Sequence, residues 1–464
     1  MSTPTNLSPV AVRRMPIRWR DLAFRISEPR PFRALATKCY SFAAKTCGKA
    51  FGRIDGIRAV ALRGGALTGP IPAVSDIDLT LFTDELNDSQ FADLVICLRH
   101  RQAKLKSKFP MLGEVLVLRP CDVELLERSG SSMLLLVNPQ RVLNGEKVEI
   151  HPQAPVSSKS RIAICLHYYL QMLADAREVS GNRYPAFHRA RCYRYAKKLF
   201  AACGVEEEHD SALSLPATFA KAFRAADRLI TRGLAETLPP DFATLVREQR
   251  ESSAEASLYT PKESFAWWLK TNQKFSGLGK LTSTADPYLF LWHGKMGLGV
   301  LEWIFERYLA RLDITRRLPV VFSESMAECH PRGLTLDALD SDSQLEWSTS
   351  LGANLFFNLR DRALVHYFML NHYLVSSSSQ TIADAFRNMA RAIMSMVCGK
   401  IAKDDVELIS SVREKLPRAC SVFEEISPLK QTHLQRSQLE GIVEATRELR
   451  IFFEKHFLVG GVTL

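Results

Sequence analysis

The feature that most constrains this chain is a short strand-like segment that contains two aspartates, SDIDLTLF, at residues 75–82. Residues 76–82 alternate between polar and apolar side chains and are rich in Ile, Leu and Thr, in the manner of a strand. Carboxylates are poor strand formers and are costly to bury unless a cation or a hydrogen-bond donor compensates them. Side chains alternate along a strand, so Asp76 and Asp78 should project from the same face, roughly 7 Å apart. The pair is therefore predicted to be functional.

The two carboxylates predict a site for a divalent cation. Two adjacent carboxylates ionise together at low cost only when a cation lies between them. Mg²⁺ prefers such oxygen ligands and keeps its other positions for water and for phosphate oxygens of a substrate. We therefore expect Mg²⁺ at Asp76 and Asp78, with a phosphate-bearing substrate beside it.

A glycine pair precedes the aspartates. Gly64 and Gly65 follow the apolar residues 59–62, which is the pattern of a strand that enters a tight turn. Glycine permits positive φ and close backbone approach, and free N–H groups at such a turn attract anions. Ser75 adds a hydroxyl donor immediately before the first aspartate. These three residues are candidates to hold the phosphates of a nucleoside triphosphate (NTP).

The spacing resembles the signature of the polymerase-β-type nucleotidyltransferase superfamily. The shared pattern is a glycine pair, an eleven-residue step from Gly65 to Asp76, and alternating aspartate and apolar residues. It is most similar to the streptomycin/spectinomycin-type aminoglycoside adenylyltransferases, although Gly65 stands where that family usually has serine. The resemblance implies a small mixed sheet with helices, two Mg²⁺ ions, and ATP or another NTP as substrate. It also implies transfer of a nucleoside monophosphate to a hydroxyl acceptor with release of pyrophosphate.

The resemblance further implies a third carboxylate at the start of the next strand. Glu114, thirty-six residues after the second aspartate, matches that place and by resemblance would complete the metal site and act as general base. From the residues alone, Asp122 and Glu124 are rivals, because their segment CDVELL also alternates. Glu114 is preferred because it lies inside the predicted strand 114–118, whereas Asp122 follows a proline.

A second similarity to the same adenylyltransferases lies at residues 388–417, which match their helix–GKIA–helix segment. In those enzymes this segment folds over the nucleotide and supplies an arginine and a lysine to the triphosphate. Arg391 matches the arginine. The lysine position holds Asp404, so Lys403 is the candidate, with Lys400 as the other nearby lysine.

Beyond residue 155 the apolar spacing becomes helical, which predicts an α+β fold: a small mixed-sheet nucleotidyltransferase domain followed by a large, mostly helical region. The predicted domains are a basic extended arm at 1–30, the nucleotidyltransferase domain at 31–155, a helical region of unknown role at 156–375, and a C-terminal helical domain at 376–464 that closes over the nucleotide. Helical patterns in the long second part cover 160–180, 187–203, 216–235, 262–274, 287–311, 353–374, 380–398, 404–415 and 434–457.

The net charge of +11 is concentrated at the amino end. Residues 1–53 carry eleven Lys and Arg residues against two acidic ones. A basic arm that binds nucleic-acid phosphates is one interpretation. A solvated extension that ends in a basic amphipathic helix on the core is another, and a targeting peptide is a third. The acceptor is therefore left open between a small hydroxyl compound and RNA, and a non-catalytic binding protein of the same fold is a further alternative.

The ten cysteines contain no CxxC pair and no zinc-finger spacing. Together with the lack of a signal-peptide pattern, this favours reduced thiols in a cytoplasmic protein. No run reaches eighteen apolar residues, so we expect no membrane-spanning segment.

Overall fold

The protein, described here by a computed structural model, has an α+β fold that divides into two compact units. The first unit contains residues 1–157, 338–345 and 360–464, and the second contains residues 158–337 and 346–359. The described residues are 17–27, 29–67, 70, 74–138, 140–153, 158–180, 185–205, 214–235, 280–283, 289–293, 302, 305, 320–323, 352–398, 405–429 and 434–458.

A four-stranded mixed sheet forms the centre of the first unit. Its strands are β1 (Ile57–Arg63), β2 (Ile77–Thr83), β3 (Leu112–Leu118) and β4 (Arg141–Gly145), in the order β3-β2-β1-β4. β1 runs antiparallel to β2 and β4, whereas β2 and β3 are parallel. A parallel pair requires a long crossover, and the helix Asp88–Lys108 supplies it here. The mixed sheet and the predicted positions of β1, β2 and β3 are confirmed, whereas β4 was not predicted.

The helices are numbered in chain order. They are α1 (Ile17–Ser27), α2 (Arg30–Phe51), α3 (Asp88–Lys108), α4 (Pro120–Ser129), α5 (Met133–Val137), α6 (Ser158–Ser180), α7 (Pro185–Cys203), α8 (Leu215–Ala235), α9 (Gly352–Ser376), α10 (Ser379–Cys398), α11 (Asp405–Arg413), α12 (Pro417–Ile426) and α13 (Arg436–Phe453), which ends in a π-helical turn, Glu454–Leu458.

The core of the first unit lies between the sheet and its helices. Five consecutive residues of β1, from Ala59 to Arg63, are buried, which shows that both faces of this strand are covered. Helix α2 buries Tyr40, Ala44 and Phe51, while its lysines are exposed. The expectation of a basic amphipathic helix on the core is therefore met by α2.

The first unit is completed by residues that lie more than two hundred positions after its sheet. Asp361 of α9 accepts a 2.7 Å hydrogen bond from the backbone N–H of Ser132. Arg99 of α3 donates to the carbonyl oxygens of Leu374 (2.6 Å) and Ser377 (2.9 Å) at the C-terminal end of α9. These contacts satisfy C-terminal carbonyls that a helix leaves unpaired.

The prediction of an extended arm over residues 1–30 is wrong for its second half, because Ile17–Ser27 is helical. The four prolines that suggested an extended chain are Pro4, Pro9, Pro16 and Pro29. None of them lies inside the helix, and the last two flank it, so they bound a helix rather than prevent it. Residues 1–16 lie outside the described part of the chain.

The second unit contains α6, α7 and α8 together with a three-stranded sheet. Its strands are β5 (Lys280–Ser283), β6 (Leu289–His293) and β7 (Val320–Ser323), in the order β5-β6-β7. The helix predicted over 287–311 is therefore wrong at β6, and the region 156–375 is not helical throughout. A short apolar run such as LFLWH does not distinguish a buried strand from a helix by periodicity. The predicted helix 262–274 lies outside the described residues.

Among the described residues, no helix has the length and apolar character required to cross a membrane.

Candidate active site

The carboxylate of Asp78 lies between two glycines. Gly64, at the turn after β1, has φ +71°, and a β-carbon there would be 2.7 Å from Asp78 Oδ2. Gly113 of β3 lies on the other side, where a β-carbon would overlap Asp78 Oδ1 and lie 2.7 Å from Asp76 Cβ. Both glycines are thus required by the position of the carboxylate, and Gly64 also by its backbone conformation.

An irregularity in the sheet brings Glu114 to Asp78. Ile77 pairs with Leu112 and Leu79 pairs with Val115, so β3 has one extra residue opposite Asp78. An extra residue of this kind is a β-bulge, which leaves a backbone group outside the ladder. The N–H of Glu114 is the group that is freed, and it donates a 3.0 Å hydrogen bond to Asp78 Oδ1.

The three predicted acids interact electrostatically. Burial raises the pKa of Asp78 above its ordinary value. The carboxylates of Glu114 and Asp76 raise the pKa of Asp78 further, while Arg63 and the backbone N–H of Glu114 lower it. Each contribution agrees with the rule that nearby negative charge opposes ionisation and nearby positive charge favours it. Asp76, Asp78 and Glu114 are therefore close enough for their charges to affect the ionisation of Asp78.

Arg63 is a member of this neighbourhood that the sequence did not single out. It is the last residue of β1, lies opposite Asp78 in the antiparallel pair, and is only 4% exposed. Its Nη2 donates a 2.8 Å hydrogen bond to Glu114 Oε2, and the Glu114 side chain is 43% exposed. The sequence signal for Arg63 is a basic residue directly before a glycine pair.

The two aspartates suit a divalent cation, but the three acids together do not form a metal site in this structure. Asp76 and Asp78 offer adjacent carboxylate oxygens, the ligand type that Mg²⁺ prefers. Among the residues that the structure describes, however, no three His, Cys, Asp or Glu side chains are grouped to hold a metal ion. Glu114 is instead paired with Arg63. The expected role of Glu114 as a metal ligand thus requires that this ion pair be exchanged.

Gly64 lies beside the Asp78 carboxylate, and Ser75 directly precedes Asp76 in the chain. Gly64–Ala66 forms a short 3₁₀ turn, closed by a 3.1 Å hydrogen bond from the N–H of Leu67 to the carbonyl of Gly64. Ser75 is buried, and its carbonyl accepts a 2.8 Å hydrogen bond from the Tyr40 hydroxyl of α2. Helix α2 therefore fixes the backbone immediately before Asp76.

The rivals of Glu114 have other roles. Asp122 is fully buried in α4, and its carboxylate accepts hydrogen bonds from the backbone N–H (3.0 Å) and Nε (3.1 Å) of Arg119 and from the hydroxyl of Tyr367 (2.6 Å). Asn371 Nδ2 is a further donor at 3.3 Å. Glu124 is on the surface and pairs with an arginine of its own helix. A carboxylate with four donors is a structural crosslink, so neither rival joins the aspartate pair.

His372 of α9 was also not foreseen. It is buried against the edge strand β3, where its Nδ1 accepts a 3.1 Å hydrogen bond from the N–H of Val115. Its Nε2 lies 3.0 Å from Ser376 Oγ. Burial lowers the pKa of His372 to about 4, while Glu114 opposes this shift. A neutral imidazole ring therefore covers the backbone next to Glu114. No local sequence pattern reveals this contact, because His372 and Val115 are more than 250 residues apart along the chain.

Arg391 lies on α10, but its side chain is outside the described part of the structure, as are Lys403, Lys400 and Asp404 altogether. Their proposed contacts with a triphosphate remain predictions from the resemblance.

Comparison of the chain with protein-family models, with curated proteins and with solved structures finds no match in any of the three. The interpretation of the site consequently depends on its own residues.

Proposed function

We propose that the chain is a metal-dependent nucleotidyltransferase that transfers a nucleoside monophosphate, in the first place AMP from ATP, to a hydroxyl acceptor and releases pyrophosphate. The observation that carries this proposal is the position of the Asp78 carboxylate. It lies between Gly64 and Gly113, beside Asp76 and the backbone of Glu114, at the point where a glycine turn follows β1.

The cost of this arrangement supports a function. Burial opposes the ionisation of Asp78, and two further carboxylates oppose it as well. A fold gains nothing from such a cluster by itself, since burying carboxylates near one another is unfavourable. Clusters of this kind occur where their charge is used. By contrast, Asp122 shows how the same fold treats a purely structural carboxylate, which it surrounds with donors.

Each residue has a defined part in the proposed reaction. Asp76 and Asp78 bind the divalent cation, which neutralises charge on the triphosphate when bound. The backbone of Gly64 and Gly65 and the hydroxyl of Ser75 hold the phosphates. Glu114, whose side chain is partly exposed, takes the proton from the attacking hydroxyl of the acceptor.

The chemistry requires little else. In-line attack at the α-phosphorus forms one P–O bond and breaks another, with pyrophosphate as the leaving group. Positioning and charge neutralisation provide most of the acceleration in such a transfer. A small group of acids beside a glycine turn is sufficient for this purpose.

The test is transfer of label from each α-labelled NTP, with Mg²⁺ or Mn²⁺, to the components of a cell extract. We expect labelled product with the natural chain and a loss of at least about 100-fold with Asp78→Asn, since this change removes the charge and keeps the shape. Asp84→Asn, an exposed aspartate just beyond β2, is the matched control and should label normally. Equal labelling by both variants, or no labelling with any NTP, would contradict the proposal and favour a non-catalytic binding protein.

A nucleic-acid acceptor is the second candidate, and one observation favours it. Lys38, Lys45 and Lys49 are exposed along one side of α2, at spacings of seven and four residues, while the opposite side is buried in the core. Replacement of all three by Gln should reduce the slope of log affinity for RNA against log salt by up to about 3. An unchanged slope, or label recovered only in small molecules, would remove RNA from consideration.

A further inference from the structure

Arg63 is a charged side chain buried at the end of β1, and a structural role in the strand does not explain why a charge is placed there. Its side chain is about 5% exposed, and its Nη2 donates a 2.8 Å hydrogen bond to Glu114 Oε2. Its Nε is buried and has no hydrogen-bond partner among the residues that the structure describes. Arginine presents its donors as a planar fork, and buried donors are normally all satisfied. The guanidinium of Arg63 therefore does not use all its hydrogen-bond donors in this structure.

The position of Arg63 relates it to two of the three acids of the site. It lies opposite Asp78 across β1 and β2, it contacts Glu114 on β3, and it immediately precedes the Gly64 turn. Its positive charge favours ionisation of Asp78, against the effect of the two other carboxylates. Arg63 thus supplies positive charge at the place where the proposed reaction requires a cation.

We propose that Arg63 is a built-in counter-ion that holds Glu114 in the nucleotide-free protein and is transferred to the triphosphate when an NTP binds, which makes divalent-cation binding dependent on the nucleotide. This inference rests on the proposed function and adds to it a regulation of the same site. It explains why the described acids form no three-ligand metal group, since one of the three is held by the arginine.

The exchange has a physical basis. A carboxylate that is paired with a guanidinium at 2.8 Å is a poorer ligand for a cation, because the two positive charges compete for it. A phosphate offers Arg63 two parallel hydrogen bonds, and this bidentate arrangement would also satisfy the buried Nε. Cation and nucleotide should therefore bind with positive coupling, each increasing the affinity for the other.

The experiment measures Mn²⁺ binding to the full chain without nucleotide, by electron paramagnetic resonance and by the change in melting temperature with MnCl₂. In Arg63→Gln we expect about tenfold tighter binding than in the natural chain, because the guanidinium no longer competes with the cation for the Glu114 carboxylate. Arg58→Gln is the matched control. Arg58 is an exposed arginine of the same strand, 3.8 Å from Glu146, and its loss should leave Mn²⁺ binding unchanged.

Two further variants keep the test decisive. Arg63→Lys retains the charge and loses the fork, so it should fold and bind Mn²⁺ with an affinity between those of the natural chain and Arg63→Gln. Arg63→Gln combined with Glu114→Gln should lose the gain, which identifies Glu114 as its source. Binding in Arg63→Gln and Arg63→Lys that is equal to or weaker than in the natural chain overturns the inference. Because no NTP or acceptor is present, this result is independent of whether nucleotidyl transfer is detected.

Discussion

Asp122 accepts a 2.6 Å hydrogen bond from the hydroxyl of Tyr367, a residue 245 positions further along the chain. Both side chains are fully buried, and the same carboxylate also binds Arg119 and Asn371. A carboxylate that connects α4 to α9 in this way fixes the C-terminal helices of the first unit to its sheet.

Asp122→Ala should therefore be among the most destabilising single substitutions. It removes the 3.1 Å partner of the buried Arg119 guanidinium and leaves only the more distant Asp88, at 4.0 Å, among the described acids; loss of one member of a buried ion pair costs about 3–5 kcal/mol. Glu124→Ala, two residues away on the exposed side of α4, should change stability by less than about 0.5 kcal/mol. Urea unfolding measures both values. Similar values for the two variants would contradict the assignment of Asp122 as the crosslink.

Gly113→Ala should perturb the site through one methyl group. Its β-carbon would overlap Asp78 Oδ1 and contact Asp76, so the strand or the aspartates must shift, at a cost of about 1–3 kcal/mol. Gly441→Ala is the control, because the nearest atom to its β-carbon is Val422 Cγ2 of α12 at 3.5 Å, an ordinary van der Waals contact. That change should be neutral or stabilising. Thermal unfolding compares the two, and equal stability would show that Asp78 is placed differently.

The stability of the fold should fall between about pH 6.5 and pH 4 because of His372. The pKa of His372 is lowered to about 4 in the folded protein from an ordinary 6.5, so the unfolded chain binds the proton first as the pH falls. The difference corresponds to a loss on the order of 3 kcal/mol by pH 4, with no further loss from this group below that. His372→Gln should flatten the dependence of the unfolding free energy on pH in this range. His100→Gln, at an exposed position, should not.

Asp78→Asn should stabilise the nucleotide-free protein while it removes activity. The pKa of Asp78 is raised in the folded state, so the folded protein binds this proton more readily than the unfolded chain, and the ionised carboxylate disfavours folding at neutral pH. Asparagine keeps an oxygen for the N–H of Glu114 and carries no charge. We expect a higher melting temperature at pH 7 than for the natural chain. A lower one would show that the charge of Asp78 is compensated in the resting protein.

Local patterns predicted the elements that carry the site. Alternation and glycine placement identified β1, β2 and β3, and the pair Asp76 and Asp78 stood out because carboxylates are rare in strands. The bulge at Gly113 was not predicted, because a single glycine in a strand indicates close approach without saying to what. The ion pair of Arg63 with Glu114 was also missed, since it depends on the register between three strands.

The contacts that α9 makes with β3 and α4 could not be predicted from local sequence patterns. His372 and Tyr367 are ordinary residues of an amphipathic helix by sequence, and only the fold shows that they bind β3 and α4. Conversely, the segment of β6 was predicted to be helical, because a run of five residues is too short for its periodicity to distinguish a helix from a strand.

The first unit joins its sheet to helices that lie far along the chain, which has a consequence for biosynthesis. At about 5–20 residues per second, the ribosome adds Tyr367 roughly 12–50 s after Asp122. During this interval the nascent chain exposes the outer edge of β3 and a carboxylate without its later donors, and an uncovered strand edge favours aggregation. Emergence of α9 therefore ends the period in which this strand edge is uncovered.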